Sequence, residues 1–386
     1  MTVLARMREV AVHRRNNRSD WILLGTIVAL SAFGLLMIYS ATRSSGTFSM
    51  ERQMVFVAAG LMIFMLASNI DYREFRGIVP FVSVLILLLL LAVFLFDPVN
   101  NVNRWIPLGV FNLQPAEFAK VVVIVVLAGL LAPSIPERDE IGPRSLTWKK
   151  VGQAVLVVAV PAVLILREPD LGTTMVFGFI LFSMLFVAGA TWRQMVALVT
   201  SAVVGMAAVL RLELLSEYQM NRIEVLFKPG TDPQGIGYQL RQSKSAIGSG
   251  QLFGKGLFEE GTLTAFEYVP EQETDFIFTA VGEQLGFVGG LLVLAVFAIL
   301  VWRLLVIAAN ARDRFGALIA AGISAMIMFH VVVNVGMTVG IMPVTGLPLP
   351  FLSQGGSFYM AMTLALGIAN SVWLMRTPVP GENQLT

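Results

Sequence analysis

The chain of 386 residues has no cysteine and only two histidines, His13 and His330. Without cysteine there is no disulfide framework, no thiol nucleophile and no thiolate metal site. Two histidines cannot build a multi-histidine centre, so any divalent ion would need oxygen ligands. Charge is scarce as well: 13% of the residues are Asp, Glu, Lys or Arg, against 56% hydrophobic. The net charge of +2 comes from basic residues scattered along the polar segments. With no basic patch, nucleic acid is not expected as a partner.

What remains is apolar, with a mean hydropathy of +0.77. It comes in ten long runs: 21–41, 53–70, 77–96, 115–132, 151–167, 172–190, 194–211, 276–302, 315–340 and 355–375. At 1.5 Å per residue each can cross a hydrocarbon core of roughly 30 Å. The runs lack period-two alternation and are too long for barrel strands. The expected fold is an all-α polytopic membrane protein, a single bundle of about ten transmembrane helices with one large extracytoplasmic loop. Arg6, Arg8, Arg14, Arg15 and Arg18 lead into a first run too long for a signal-peptide core, so it reads as an uncleaved anchor. An even number of crossings puts both termini on one side. The short-loop bias of Arg73, Arg76, Arg138, Arg144, Lys149, Lys150, Arg193, Arg303, Arg312, Arg314 and Arg376 makes that side cytoplasmic. This divides the chain into a basic tail 1–20, a membrane domain 21–376 with an outer loop at about 212–274, and a tail 377–386.

Polar residues inside or beside such runs are costly and mark functional candidates. Asp275 sits where the long polar segment turns back into an apolar helix, with Glu271 and Glu273 just upstream. It can serve as an acid or base at the membrane edge, or simply cap the helix. Gln114, Glu117 and Lys120 recur every three residues and share a face. Glu117 and Lys120 can neutralise each other as glue between helices, or line a wet cavity with Lys120 ready for an anion. Arg104 adds a cation beside Trp105, and Arg167-Glu168-Pro169-Asp170 forms a tight turn in which Asp170 can cap the next helix. In the long loop, Lys244 and Lys255 are interleaved with Gly248, Gly250, Gly254 and Gly256, a pattern that can offer backbone N–H groups to a phosphate. Glu283 falls on the Asp275 face and is placed well inside the hydrocarbon. His330, Asn334 and Thr338 form another stripe, read as helix-to-helix hydrogen bonding. Gly346 to Ser357, with Pro348, Pro350 and Ser353, reads as a rigid re-entrant loop bordering a cavity.

Taken together, Asn103-Arg-Trp, Gln114-Pro-Ala-Glu-Phe-Ala-Lys120, Glu168-Pro-Asp-Leu-Gly-Thr, Asp232-Pro-Gln-Gly, Pro270-Glu-Gln-Glu-Thr-Asp-Phe-Ile-Phe278 and Gly346-Leu-Pro-Leu-Pro-Phe-Leu-Ser-Gln-Gly-Gly-Ser357 resemble the SEDS family of shape, elongation, division and sporulation proteins. The match runs in order from Trp21 onward. Gln242 to Gly250 followed by Gly-Lys-Gly is similar to elongation-type members more than division-type ones. Gln272-Glu273 and Gln354 depart from the family's more familiar residues, leaving the acid in place. The resemblance implies a peptidoglycan glycosyltransferase of the bacterial cytoplasmic membrane that polymerises lipid II into β-1,4 glycan beside a class B penicillin-binding protein. It implies that Asp275 is the essential acid and that Glu117 and Lys120 belong to the site. It also implies a divalent cation, Mg or Mn. With Asp275 as base, Arg104, Glu117, Lys120, Lys244, Lys255, Glu283 and Ser353 are the candidate substrate-binding residues. A lipid II flippase, or a scaffold for the penicillin-binding protein, fits the same residues.

Overall fold

The computed structural model describes residues 19–43, 49–96, 103–109, 111–132, 146–212, 215–228 and 230–376. The tail bearing Arg6, Arg8, Arg14, Arg15 and Arg18, the segment with Arg138 and Arg144, and the tail 377–386 lie outside the described residues.

All ten apolar runs are helices. In chain order these are α1 Trp21–Thr42, α2 Ser49–Asn69, α3 Phe75–Ala92, α4 Pro115–Leu131, α5 Trp148–Arg167, α6 Leu171–Val187 and α7 Trp192–Arg211. Two short helices follow, α8 Glu217–Phe227 and α9 Ile236–Ser249, before α10 Ile277–Ala309, α11 Arg314–Val339 and α12 Gly356–Leu374. Polar residues mark where several begin: the side chains of Asp20, Thr147, Asp170, Thr191 and Asp313 each accept a first-turn N–H, which satisfies donors the helix leaves open. Pro115 opens α4, where a missing N–H costs nothing. A two-residue hairpin, β1 Ile106–Pro107 with β2 Asn112–Leu113, leads into α4.

Among the described residues eight helices are long and apolar enough to cross a membrane, and the chain is a multi-pass membrane protein. The other two, α4 and α6, have 17 residues each. They run in the interior, α4 against α3, α5, α6, α11 and α12, and α6 against α4, α5 and α11. Enclosed by protein, they need not match the full hydrocarbon thickness. By contrast α7 packs chiefly on α6 and leaves most of its apolar side chains exposed.

Alternating helix directions gather two polar ends. At one, Asp20 pairs with Arg303, and Tyr72 donates to Asp313 at 2.8 Å. At the other, Gln114 N–H donates to Ser357 Oγ at 3.0 Å and Arg104 to the α5–α6 turn. Asp275 lies at this second end.

The polar segment 212–274 holds the helices α8 and α9. Lys244 and Gly248 lie within α9, whose N–H groups are used by the helix, so no glycine nest for phosphate forms there. Leu240, Ser243 and Ala246 turn inward at helical spacing. The later glycines pair with α10 instead. That helix breaks at Gly286, with φ 66° and ψ −162°, a conformation for which glycine is suited. The groups freed by the break bond to the loop: Lys255 N–H to Glu283 O at 3.0 Å, Gly256 N–H to Gln284 O at 3.1 Å, Phe287 N–H to Gln251 O at 2.9 Å and Val288 N–H to Leu252 O at 3.1 Å. Glu283 is fully buried on α10. Its neighbour Gln284 accepts from Ser40, near the end of α1, which sets both at the rim of the bundle.

Candidate active site

Asp275 ends the turn that enters α10. Its N–H donates to Glu271 O at 3.0 Å. The helix N-cap is Phe276, with no side-chain cap bond, so the carboxylate is not occupied in capping. Two neighbours fix the segment. Asn334 of α11 donates through Nδ2 to Asp275 O at 2.8 Å and to Leu347 O at 2.7 Å. Gly346, at φ +73°, has its Cα against the acid: a Cβ there would lie 3.1 Å from Asp275 Oδ2 and 3.4 Å from Arg222 Nη1. The Arg222 guanidinium of α8 and the Asp275 carboxylate therefore both border Gly346, and the charge of Arg222 acts on the acid.

The Asp275 side chain retains some accessible surface, yet it is packed closely enough for desolvation to dominate its acidity. Burial pushes its pKa up to about 6. Arg222 opposes this, Glu271 adds to it, Arg104 opposes and Asp170 adds. A carboxylate with this affinity can take a proton from a hydroxyl and release it near neutrality.

Behind Asp275 lies the α4 stripe. Lys120 is 0% exposed and Glu117 3%. Lys120 Nζ stands 2.7 Å from Glu117 Oε2, an ion pair by distance without hydrogen-bond direction. It also stands 3.1 Å from His330 Nε2 and 5.4 Å from the centre of the Phe358 ring. Lys120 is thus held by protein partners instead of being left open to an anion. His330 bonds between helices, as read from sequence, with this buried lysine as its partner.

Arg104 donates to Glu168 O at 3.0 Å and Pro169 O at 2.6 Å, fixing the turn while its charge is felt by Asp275. In that turn Asp170 caps α6 through Thr173 N at 2.9 Å. Glu168 is 0% exposed, with both carboxyl oxygens buried and lacking a hydrogen-bond partner.

The other residues expected at the site have partners of their own. Glu283 accepts from Lys255 Nζ at 2.9 Å, Leu263 N at 2.9 Å, Thr264 N at 2.9 Å and Thr264 Oγ1 at 2.7 Å. It ties the 250–272 loop to α10. Lys255 is its ion-pair partner. Ser353 Oγ accepts from Leu349 N at 2.8 Å and closes its own turn. Lys244 is exposed on α9, with its side chain against Gly340. Among the described residues no three His, Asp or Glu side chains come together.

Arg222, Asn334, Gly346 and Glu168 were not singled out as site residues by sequence. For Arg222 the available signal was a cation close to Asn221 in a segment read as loop, where burial is invisible. For Asn334 it was the four-residue spacing from His330.

Residues 20–376 match the family model described as cell cycle protein, FtsW/RodA/SpoVE. The peptidoglycan glycosyltransferase MrdB of Escherichia coli K12 is 38% identical over 357 residues, covering 92% of this chain and 93% of that one. A probable peptidoglycan glycosyltransferase FtsW of Trichlorobacter lovleyi is 36% identical over 376 residues, covering 94% and 96%. Among solved structures, a chain from a peptidoglycan synthase complex that coordinates polymerization and crosslinking aligns with a TM-score of 0.77 at 29% identity, covering 92% of this chain and 97% of that one. The resemblance read from the sequence motifs is thereby established, and the chain belongs to the FtsW/RodA/SpoVE family of cell cycle proteins.

Proposed function

We propose that the chain is a peptidoglycan glycosyltransferase that polymerises lipid II into β-1,4 glycan for cell-wall elongation and rod shape, with Asp275 as general base. Glycosyltransferase activity follows from its family and from the names its relatives carry. The elongation role rests on the Gln242 to Gly256 segment. The observation that carries the mechanism is a partly accessible, desolvated Asp275 carboxylate bordering Gly346 together with the Arg222 guanidinium.

In the reaction, the acceptor sugar's hydroxyl gives its proton to the Asp275 carboxylate. The oxygen attacks the anomeric carbon of the donor from the face opposite the diphosphate. The bond from that carbon to the diphosphate oxygen breaks, and the lipid diphosphate departs with inversion from α to β. A diphosphate is already a good leaving group, so positive charge can replace a general acid. Arg222 and Arg104 supply that charge, and the buried Glu117–Lys120 pair is tied through His330 to α11, which holds the Asp275 segment. Lys244, exposed on α9, is available to the headgroup, while Glu283, Lys255 and Ser353 hold the surrounding loops. A single base with nearby cations differs from the carboxylate pair of a glycosidase.

The site opens to the outer face of the bacterial cytoplasmic membrane, with both termini in the cytoplasm. The partner is a class B penicillin-binding protein, which the complex containing the solved relative supports. Purified protein with labelled lipid II in detergent tests the activity where transport has no meaning. Glycan ladders on a gel are expected. Their absence, even with the partner present, would favour a flippase or scaffold.

A further inference from the structure

Within the reading above, one group remains without a role: His330, fully buried on α11. Its two ring nitrogens face different parts of the site. Nε2 is 3.1 Å from Lys120 Nζ and Nδ1 is 3.2 Å from Pro348 O. An ammonium can only donate, so Nε2 must accept. A carbonyl oxygen can only accept, so Nδ1 must carry the hydrogen. Both contacts select the same neutral tautomer, Nδ1–H.

The neighbours make this contact more than a local bond. Four residues along the same helix, on the same face, Asn334 holds Leu347 O and Asp275 O. The adjoining Gly346 lies against the Asp275 carboxylate. The Phe358 ring lies 5.0 Å from the His330 ring and also faces Lys120, closing the remaining side. A continuous set of contacts therefore runs from Glu117 and Lys120, through His330, to the 346–348 strap and Asp275.

We propose that His330 is a positioning residue that fixes the Lys120 ammonium and couples it, through Pro348, to the strap against which Asp275 is set. Removing the acceptor leaves a buried ammonium hydrogen and the Pro348 carbonyl unpaired, so both the lysine and the strap shift. Displacements of this size at a reacting centre lower rates by roughly 10–100-fold. Glutamine at this position can present an oxygen to Lys120 and an N–H to Pro348 O.

The test combines polymerisation kinetics with ¹⁵N-histidine NMR on the full-length protein in detergent. With His13 and His330 as the only histidines, His330→Gln identifies the resonances. The expected spectrum has His330 as the Nδ1–H tautomer, and Lys120→Met moves its Nε2 signal. Polymerisation of labelled lipid II should fall roughly 10–100-fold in His330→Leu and recover most of that loss in His330→Gln. On a Lys120→Met background, His330→Leu should cost clearly less than in the wild type, because only the Pro348 contact remains to be lost. An Nε2–H tautomer would overturn the proposal, even if the leucine variant did not fold. So would a glutamine variant as impaired as leucine at an unchanged melting temperature, or independent effects of the two substitutions. If the wild-type protein makes no glycan, the functional reading fails separately, and the tautomer with its response to Lys120→Met still decides the contact.

Discussion

Gly346 is set directly against Asp275: a Cβ on this glycine would stand 3.1 Å from Oδ2 of the acid. Its φ of +73° adds a second demand for glycine, because an L side chain there costs about 1–2 kcal/mol. Gly346→Ala should therefore displace the Asp275 carboxylate or the strap. Polymerisation should drop about 10²-fold, as for misplacement near a reacting centre, with a much smaller loss in melting temperature. Equal activity to wild type would show that the strap does not locate the acid.

The acidity of Asp275 gives a pH dependence. Burial raises its pKa to about 6, and a base works only when deprotonated. The rate under kcat/KM conditions should fall as pH drops through about 6 and level off above it. Arg222 opposes the rise, so Arg222→Met should move the acid limb to higher pH. A limb unmoved in that variant would count against the pairing of the two residues.

Glu168 predicts a stability effect. Desolvation, with Asp170 adding and Arg104 opposing, pushes its carboxyl up to about 8. The folded value exceeds the unfolded one, so its stabilising contribution is complete below the ordinary carboxylate range and is lost as pH rises through about 8. Glu168→Gln removes this titration. Melting curves in detergent at about pH 4 and about pH 9, values chosen on either side of that window, should show a smaller pH-dependent loss in the variant. Parallel losses in both proteins would place the dependence elsewhere.

The buried Glu117–Lys120 pair makes a further prediction. Removing either charge leaves the other unpaired at a cost of about 3–5 kcal/mol, read as lost thermal stability in Glu117→Gln or Lys120→Met. The charge-swapped double variant should not be rescued. It would face the accepting nitrogen of His330 with a carboxylate where an ammonium now stands at 3.1 Å. Full recovery would mean that the pair acts alone.

Much of the bundle was legible because a lipid-facing helix needs a long uninterrupted apolar run, and all ten runs became helices. The seam at Asp275 was legible for the same reason, as was the three-residue spacing of Glu117 and Lys120. What joins these pieces was not. His330 and Lys120 are separated by 210 positions, and Arg222 reaches the acid only because α8 and α9 fold over the bundle. The glycines of Gln242 to Gly256 suggested a phosphate cradle because glycine lowers helix propensity. Burial of Leu240, Ser243 and Ala246 outweighs that in α9. Glu283 was read by hydropathy alone, which does not show the loop donors that surround it.

If Asp275 is the base, the reaction needs a proton acceptor at this position and not only its shape. Asp275→Asn keeps the shape and can still cap a helix but removes the proton acceptor. With purified protein and labelled lipid II, the account predicts a fall in polymerisation of roughly 10²–10⁴-fold, the range of general-base contributions. Melting temperature and binding of the penicillin-binding protein should stay near wild type. Glycan made by Asp275→Asn at the wild-type rate would contradict the assignment.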